Sequence, residues 1–380
     1  MSVSCLIVLN KASTLKVVSK YGPCIDETGD QKASNVPSIA EILLQDQLRM
    51  KSIRARLSMN SGSGKFEEMQ TTIPASQIPN GGAYVVTVGL GTPKREFTLL
   101  FDTGSVLTWT QYGSAQNCSS SNTCNYMVEY GSGSTSGFLA TETLTITSSD
   151  VFENFVFGCG EQNAGTFDGA TGLLGLGRLE GIALPSQTTN KYKNIFSYCL
   201  PSSSSSIGYL SFGDDVSHAA KFTPISDTGN FYVLDMVGIS VGGRKLPIDT
   251  STFTTIIDSG TTFTSLPSKA YSAISSAFQE MMTDYPSIEV PSNLQPCYDF
   301  SNHSNGNFTL PKISIFFKGG VEVEIDDSGI LAPVNGMTMC LAIQGGDEDL
   351  AVFGNYQQKT YEVVYDVAKG MVGFSPGGCS

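Results

Sequence analysis

Phe101-Asp102-Thr103-Gly104-Ser105 and Ile257-Asp258-Ser259-Gly260-Thr261 are two copies of one pattern: an apolar run ending in Asp, a hydroxyl residue, Gly and a second hydroxyl residue. Each copy is followed some tens of residues later by two apolar residues and Gly, Leu173-Leu174-Gly175 and Val352-Phe353-Gly354. A single Asp-Thr-Gly occurs in ordinary turns. A matched pair in matched contexts predicts two similar lobes that meet near residue 225.

Peptide hydrolysis needs a nucleophile and a proton donor to the leaving nitrogen, and two carboxylates held together supply both. Two adjacent like charges do not both ionise easily, so Asp102 and Asp258 would hold one proton between them over a shared water. Gly104 and Gly260 permit the tight turn and close backbone approach that two facing loops require. The short hydroxyls of Thr103 and Ser259 can bond across to the opposite loop. Those of Ser105 and Thr261 can bond the outer carboxylate oxygens.

Composition agrees. The chain has 380 residues, 40% hydrophobic and only 15% charged, which is enough for two folded domains. Its 40 glycines, with recurring Ser, Thr, Val and Phe, predict an all-β class of short strands and tight turns. Tyr84 to Val88 and Phe97 to Phe101 read as strands, and a helix is predicted from Ser268, as N-cap, to about Met282, with Ala270, Ile274, Ala277 and Met281 on one face. The net charge of -13 repels nucleic acid. His218 and His303 are the two histidines, too few for most zinc enzymes and a poor basis for a Ser-His-Asp site. Nothing in the pattern requires a metal ion or an organic cofactor. The Gly172 to Gly177 run lacks the spacing and the strand-helix context of a dinucleotide loop.

Nine cysteines without a CxxC pair suit an oxidising compartment. Sequons at Asn117, Asn302 and Asn307 point the same way. Val3 to Leu9 is a short apolar run without a basic flank and makes a poor signal peptide. No stretch reaches the roughly 18 apolar residues of a membrane span. A secreted or endomembrane, vacuolar location is expected, ahead of the chloroplast, by way of a lost targeting segment or another route.

Residues 1–70 differ from the rest. Pro37, Ser38 and Glu41 form a capping box, after which Ile39, Ile42, Leu43, Met50, Ile53 and Leu57 recur at helical spacing. Arg49, Lys51, Arg54 and Arg56 make this helix basic, and a Ser/Gly linker, Ser58 to Gly64, follows it. The pattern suits a removable prosegment whose cations lie over active-site carboxylates and leave when acid protonates them. A solvated surface helix, or one touching nucleic acid or a membrane surface, has the same pattern. The expected divisions are 1–70, an N-terminal lobe over 71–225 and a C-terminal lobe over 226–380.

At the two Asp loops the chain resembles the pepsin family, and more closely its plant nepenthesin-like branch, which includes a chloroplast-nucleoid-associated type. Gly172-Leu173-Leu174-Gly175-Leu176-Gly177 and Phe353-Gly354-Asn355 match the family's later segments. Phe157-Gly158-Cys159-Gly160 and Phe196-Ser197-Tyr198-Cys199-Leu200 look like the plant branch, as does the start, with Gly22-Pro23-Cys24 and the Asp46 to Leu57 helix. The resemblance implies a bilobal double β-barrel with the cleft between lobes, acting as a monomer on protein or peptide substrates in acid. It also implies a flap at Tyr130-Gly131-Ser132, with Trp109 bonding the flap Tyr, and a disulfide between Cys297 and Cys340. Read alone, Tyr130 and Trp109 fit ordinary packing equally well.

The match has a gap. The plant branch carries a Cys-rich insertion between the positions of Trp109 and Tyr130, and here that interval is short. Tyr112 stands where the branch has Cys, and the cysteines after residue 70 are odd in number, so a lost partner or a free thiol is expected. An open sheet edge and a poorly held Tyr130 would follow. A catalytically impaired or inactive binding protein of the inhibitor type is therefore the alternative function.

Overall fold

The computed structural model describes residues 13–22, 24, 37–60, 84–111, 124–130, 133–165, 170–203, 205–213, 216–226, 229–290, 294–303 and 308–379. Asn117, Asn307, Gly131, Ser132 and the linker beyond Asn60 lie outside them. The fold is bilobal and mainly β. Among the described residues, no helix is long and apolar enough to cross a membrane.

The internal echo is an echo in three dimensions. Strand β3 (Arg95–Asp102) runs parallel to β8 (Gly172–Gly175), placing Asp102 opposite Gly175. The strand Thr254–Ile257 runs parallel to Leu350–Phe353 in the same way, and Asp258 N–H donates to the Phe353 carbonyl at 3.1 Å. The later glycines sit beneath the loop that follows each Asp. A Cβ at Gly175 would lie 2.5 Å from the Val106 backbone, and one at Gly354 2.5 Å from the Thr262 carbonyl oxygen. Close passage of one backbone over another explains why each apolar pair must end in Gly.

Six antiparallel strands join the two halves. β1 (Thr14–Ser19) pairs with β10 (Ile207–Phe212), and β10 pairs with β9 (Ile195–Cys199). From β9 the sheet continues through Glu362–Asp366 and Met371–Ser375 to Lys221–Ser226. β1 also touches β2 (Tyr84–Leu90) through Val18 and Ser19. Tyr198, Tyr232, Tyr365 and Phe196 pack as one aromatic group at this seam, with Phe101 against Tyr198.

β4 (Trp109–Gln111) and β5 (Asn125–Tyr130) both form on either side of the short interval. β5 pairs with β6 (Gly133–Thr147) from Asn125 to Tyr130, and β6 forms a long hairpin with β7 (Asp150–Gly165). The expected loosening of Tyr130 does not occur, because this pairing and the Trp109 side chain hold it.

Helix α1 (Ile39–Asn60) starts with the expected box: Ser38 N–H donates to Glu41 Oε2 at 2.7 Å and Glu41 N–H to Ser38 Oγ at 3.3 Å. It continues past Leu57 through residues read as linker. The helix Ser268–Met281 forms, but Ser268 is its first turn rather than its cap, and its hydroxyl donates to the Gly346 carbonyl. Phe278, not Met281, completes the buried face of that helix, while Met281 is exposed.

Cys297 and Cys340 stand opposite each other on paired strands and form a disulfide. A second bridge joins Cys199 to Cys379, and Cys24 and Cys159 each take part in a separate disulfide. Cys124 is a free, exposed thiol.

Candidate active site

The two Asp loops grip one another. Thr103 N–H donates to Ser259 Oγ at 3.0 Å, and Ser259 N–H donates to Thr103 Oγ1 at 2.9 Å. Asn355 Nδ2 steadies the second loop through the Ser259 carbonyl at 2.9 Å. Each Asp is then fixed by its own turn. Gly104 N–H donates to Asp102 Oδ1 at 2.8 Å, and the Ser105 hydroxyl donates to Asp102 Oδ2. Gly260 N–H donates to Asp258 Oδ1 at 2.9 Å, and Thr261 Oγ1 to Asp258 Oδ2 at 2.6 Å. A Cβ at Gly104 would lie 2.6 Å from Asp258 Oδ1, and one at Gly260 2.5 Å from Asp102 Oδ1. Only glycine lets each loop come so near the opposite carboxylate.

Trp109 Nε1–H donates to Tyr130 Oη at 2.9 Å, with the rings stacked at 6.4 Å between centroids. Both side chains are buried. Burial raises the Tyr130 phenol, and the Asp102 charge raises it further. Asn302 is exposed in the turn Ser301–His303.

α1 lies over the carboxylate pair. Arg49 Nη2 donates to Asp102 Oδ1 at 2.6 Å and to Asp258 Oδ1 at 2.9 Å, and its Nε donates to Asp258 Oδ2 at 2.6 Å. Arg56 reaches the Gly104 carbonyl at 3.1 Å and stacks on Phe231. Ser52 Oγ donates to the Glu129 carbonyl of β5 at 3.2 Å. The outer Arg54 meets Asp347 and Asp349 in exposed pairs, which contribute little in water.

The apolar side of α1 fills two patches. Met50 and Ile53 pack with Phe231, Val233, Ile256, Leu350 and Val352. Ile42 and Leu43 pack with Phe263, Leu294, Ala332 and Ala342. Each such buried side chain contributes about 1.5–3 kcal/mol to seating the helix.

Asp46 was not signalled by the sequence, yet it anchors α1 as Arg49 does. It is 3% exposed. Its Oδ1 accepts from Thr262 N–H at 2.8 Å and its Oδ2 from Phe263 N–H at 2.7 Å. Backbone donors leave no mark in a sequence, so no pattern could have paired residues so far apart.

Electrostatics follow the contacts. Burial opposes the Arg49 charge, but Asp102 and Asp258 together hold it more firmly protonated than a free guanidinium. Burial pushes Asp258 upward, and the charge and hydrogen bonds of Arg49 outweigh this, leaving it well below the ordinary carboxylate range. Burial and repulsion by Asp258 raise Asp102 against the pull of Arg49. Burial lifts Asp46 to about 7, against its two N–H donors and Arg49. Burial, then repulsion by Arg49, lowers Arg56 to about 10.

The xylanase inhibitor N-terminal model matches residues 111–214, and the xylanase inhibitor C-terminal model matches residues 231–376. The chain is 45% identical over 413 residues to Aspartyl protease AED1 of Arabidopsis thaliana, covering 97% of this chain and 87% of that one. It is 33% identical over 394 residues to Aspartic proteinase nepenthesin-2 of Nepenthes gracilis, covering 90% and 86%. Among solved structures it superposes on edgp with a TM-score of 0.66 at 22% identity, covering 80% of this chain and 92% of that one, a likeness of fold. Kinship over nearly its whole length places this chain in the plant aspartic protease family, as an aspartic-type peptide hydrolase.

Proposed function

We propose that the chain is the inhibited precursor of an acid endopeptidase, with Asp102 and Asp258 as its catalytic pair and residues 1–70 as a prosegment. The observation that carries this is one nitrogen, Arg49 Nη2, bonded to an oxygen of each aspartate. Two oxygens that share one nitrogen are close enough to share one water once that nitrogen departs. Arg49 thus occupies the place of the nucleophile.

With α1 displaced, the like charges share a proton. The ionised carboxyl takes a proton from the water as it attacks the scissile carbonyl, and the protonated one polarises that carbonyl's oxygen. The proton taken from the water then passes to the leaving nitrogen. The crossed Thr103 and Ser259 bonds keep the carboxyls in register, and Ser105 and Thr261 hold their outer oxygens. Tyr130, steadied by Trp109, stands on the strand that leads into residues 131–132 and would cover bound substrate there, excluding bulk water. Lobes over 71–225 and 226–380 enclose the cleft. Disulfides and the exposed Asn302 support a secreted or vacuolar glycoprotein, and a monomer suffices because both aspartates lie on one chain.

Casein digestion from strongly acid to neutral pH, with and without pepstatin, tests this. Pepstatin-blocked cleavage in acid is expected, with Asp102→Asn lowering kcat by about 10²–10⁴-fold. Cleavage that persists in purified Asp102→Asn sinks the reading. The match to xylanase inhibitor models favours a second reading, a non-catalytic binding protein on the same scaffold. Such a protein would keep its function in the same variant, whereas both Asp loops here are complete.

A further inference from the structure

The N–H groups of Thr262 and Phe263 point side by side toward the helix-filled cleft, just beyond the Asp258 loop. Their loop is rigid: the carbonyls of Thr261 and Thr262 accept from Asn355 N–H at 2.8 Å and Tyr356 N–H at 2.9 Å. Both peptide planes are thereby set before anything binds. The Asp46 carboxyl meets the pair with one oxygen to each donor, at 2.8 and 2.7 Å. Phe263, Ile42 and Leu43 belong to one buried apolar cluster beside these contacts. Asp46 lies one helical turn before Arg49, so its carboxyl and the guanidinium fall on the same face.

When α1 leaves, the two N–H groups face whatever next enters the cleft. We propose that they form a subsite that receives an acidic side chain of the substrate, with Asp46 as its internal occupant in the precursor. This rests on the protease reading. Two converging donors require two acceptors on one planar group, which Asp and Glu carry. An Asn or Gln amide brings one acceptor and one donor, so its NH2 would oppose an N–H. A substrate backbone carbonyl offers one oxygen and fills half of the pair. Because burial raises the Asp46 carboxyl to about 7, recognition rests on two acceptor oxygens and not on net charge; a protonated carboxyl retains acceptor capacity.

The test uses the full chain carrying Asp46→Asn and Arg49→Ala, which removes the two buried charged anchors of α1. Matched peptides place Asp, Asn or Leu in turn at each position flanking an apolar cleavage site. At one position, Asp should exceed Asn in kcat/KM by about tenfold, the measure of one hydrogen bond replaced by a donor clash. Equal kcat/KM at every position overturns the subsite and leaves the protease reading intact. If no peptide is cleaved even after limited proteolysis has cut α1 away, the protease reading fails, and binding of the same peptides by fluorescence anisotropy decides the subsite. About tenfold tighter binding of the Asp peptide supports it, and equal binding overturns it.

Discussion

Arg49 makes three hydrogen bonds to two buried carboxylates and has the most to lose by substitution. Removing one member of a buried ion pair typically costs about 3–5 kcal/mol, because the partner charge is left uncompensated. Arg49→Ala should therefore unseat α1 and raise the peptide-hydrolysis rate of the uncleaved chain, by about tenfold or more even if the aspartates recover part of the cost by taking up a proton. Arg49→Lys keeps the charge but not the fork of donors, so an intermediate rate is expected. An unchanged initial rate in both variants would contradict the clamp. At this scale the sequence was legible where the residues signal themselves. Asp102, Asp258 and their hydroxyl neighbours sit in a local pattern whose chemistry is confined to a few positions. Asp46 does not, because its partners are main-chain groups 216 and 217 residues away.

α1 responds to pH through carboxyls of opposite habit, Asp46 and Asp102 raised and Asp258 lowered. Asp46 rises from an ordinary value of 3.8 to about 7 when docked. The docked helix then binds its proton more tightly than the free one, so docking strengthens on acidification and weakens as pH rises through about 7. Asp258 runs the other way. Held low by Arg49, its contribution persists at neutral pH and is lost only in strong acid. Arg49 stays charged throughout, and Arg56 loses its proton only well above neutrality. Limited proteolysis of α1 should thus be slowest at roughly pH 4, and faster both in stronger acid and toward neutrality. Steady loosening from neutrality down to pH 4 would refute this balance. It also departs from the simple sequence expectation that mild acid frees the aspartates, because Arg49 shifts the very group that must be protonated. The helix itself was readable from its capping box and apolar spacing. Which of its four cations meets the aspartates depends on how it lies in the cleft.

Across the whole molecule, the Cys199–Cys379 bridge ties the end of β9 to the C-terminal segment over 180 residues. Closing so long a loop restricts the unfolded chain, so Cys199→Ser with Cys379→Ser should lower the unfolding free energy by about 2–5 kcal/mol in urea titration, with little change in peptide hydrolysis. A midpoint unchanged by the double substitution would assign the bridge no stabilising role. The same seam carries β1, whose Val17 is fully buried against the joining sheet; the N-terminal region is thus built into the body by a strand as well as by the helix. β1 went unread because five or six alternating residues without clear turn signals do not distinguish a strand from a loop. The chain's own sequence determined the β class, the twofold echo and the carboxylate chemistry, since strand propensity, glycine placement and hydroxyl spacing are local properties. Only the tertiary structure decided that Arg49 fills the cleft, that Asp46 bonds Thr262 and Phe263, and that Cys199 pairs with Cys379. Those contacts join residues far apart in the chain, and their energies depend on burial and distance, which exist only once the chain has folded.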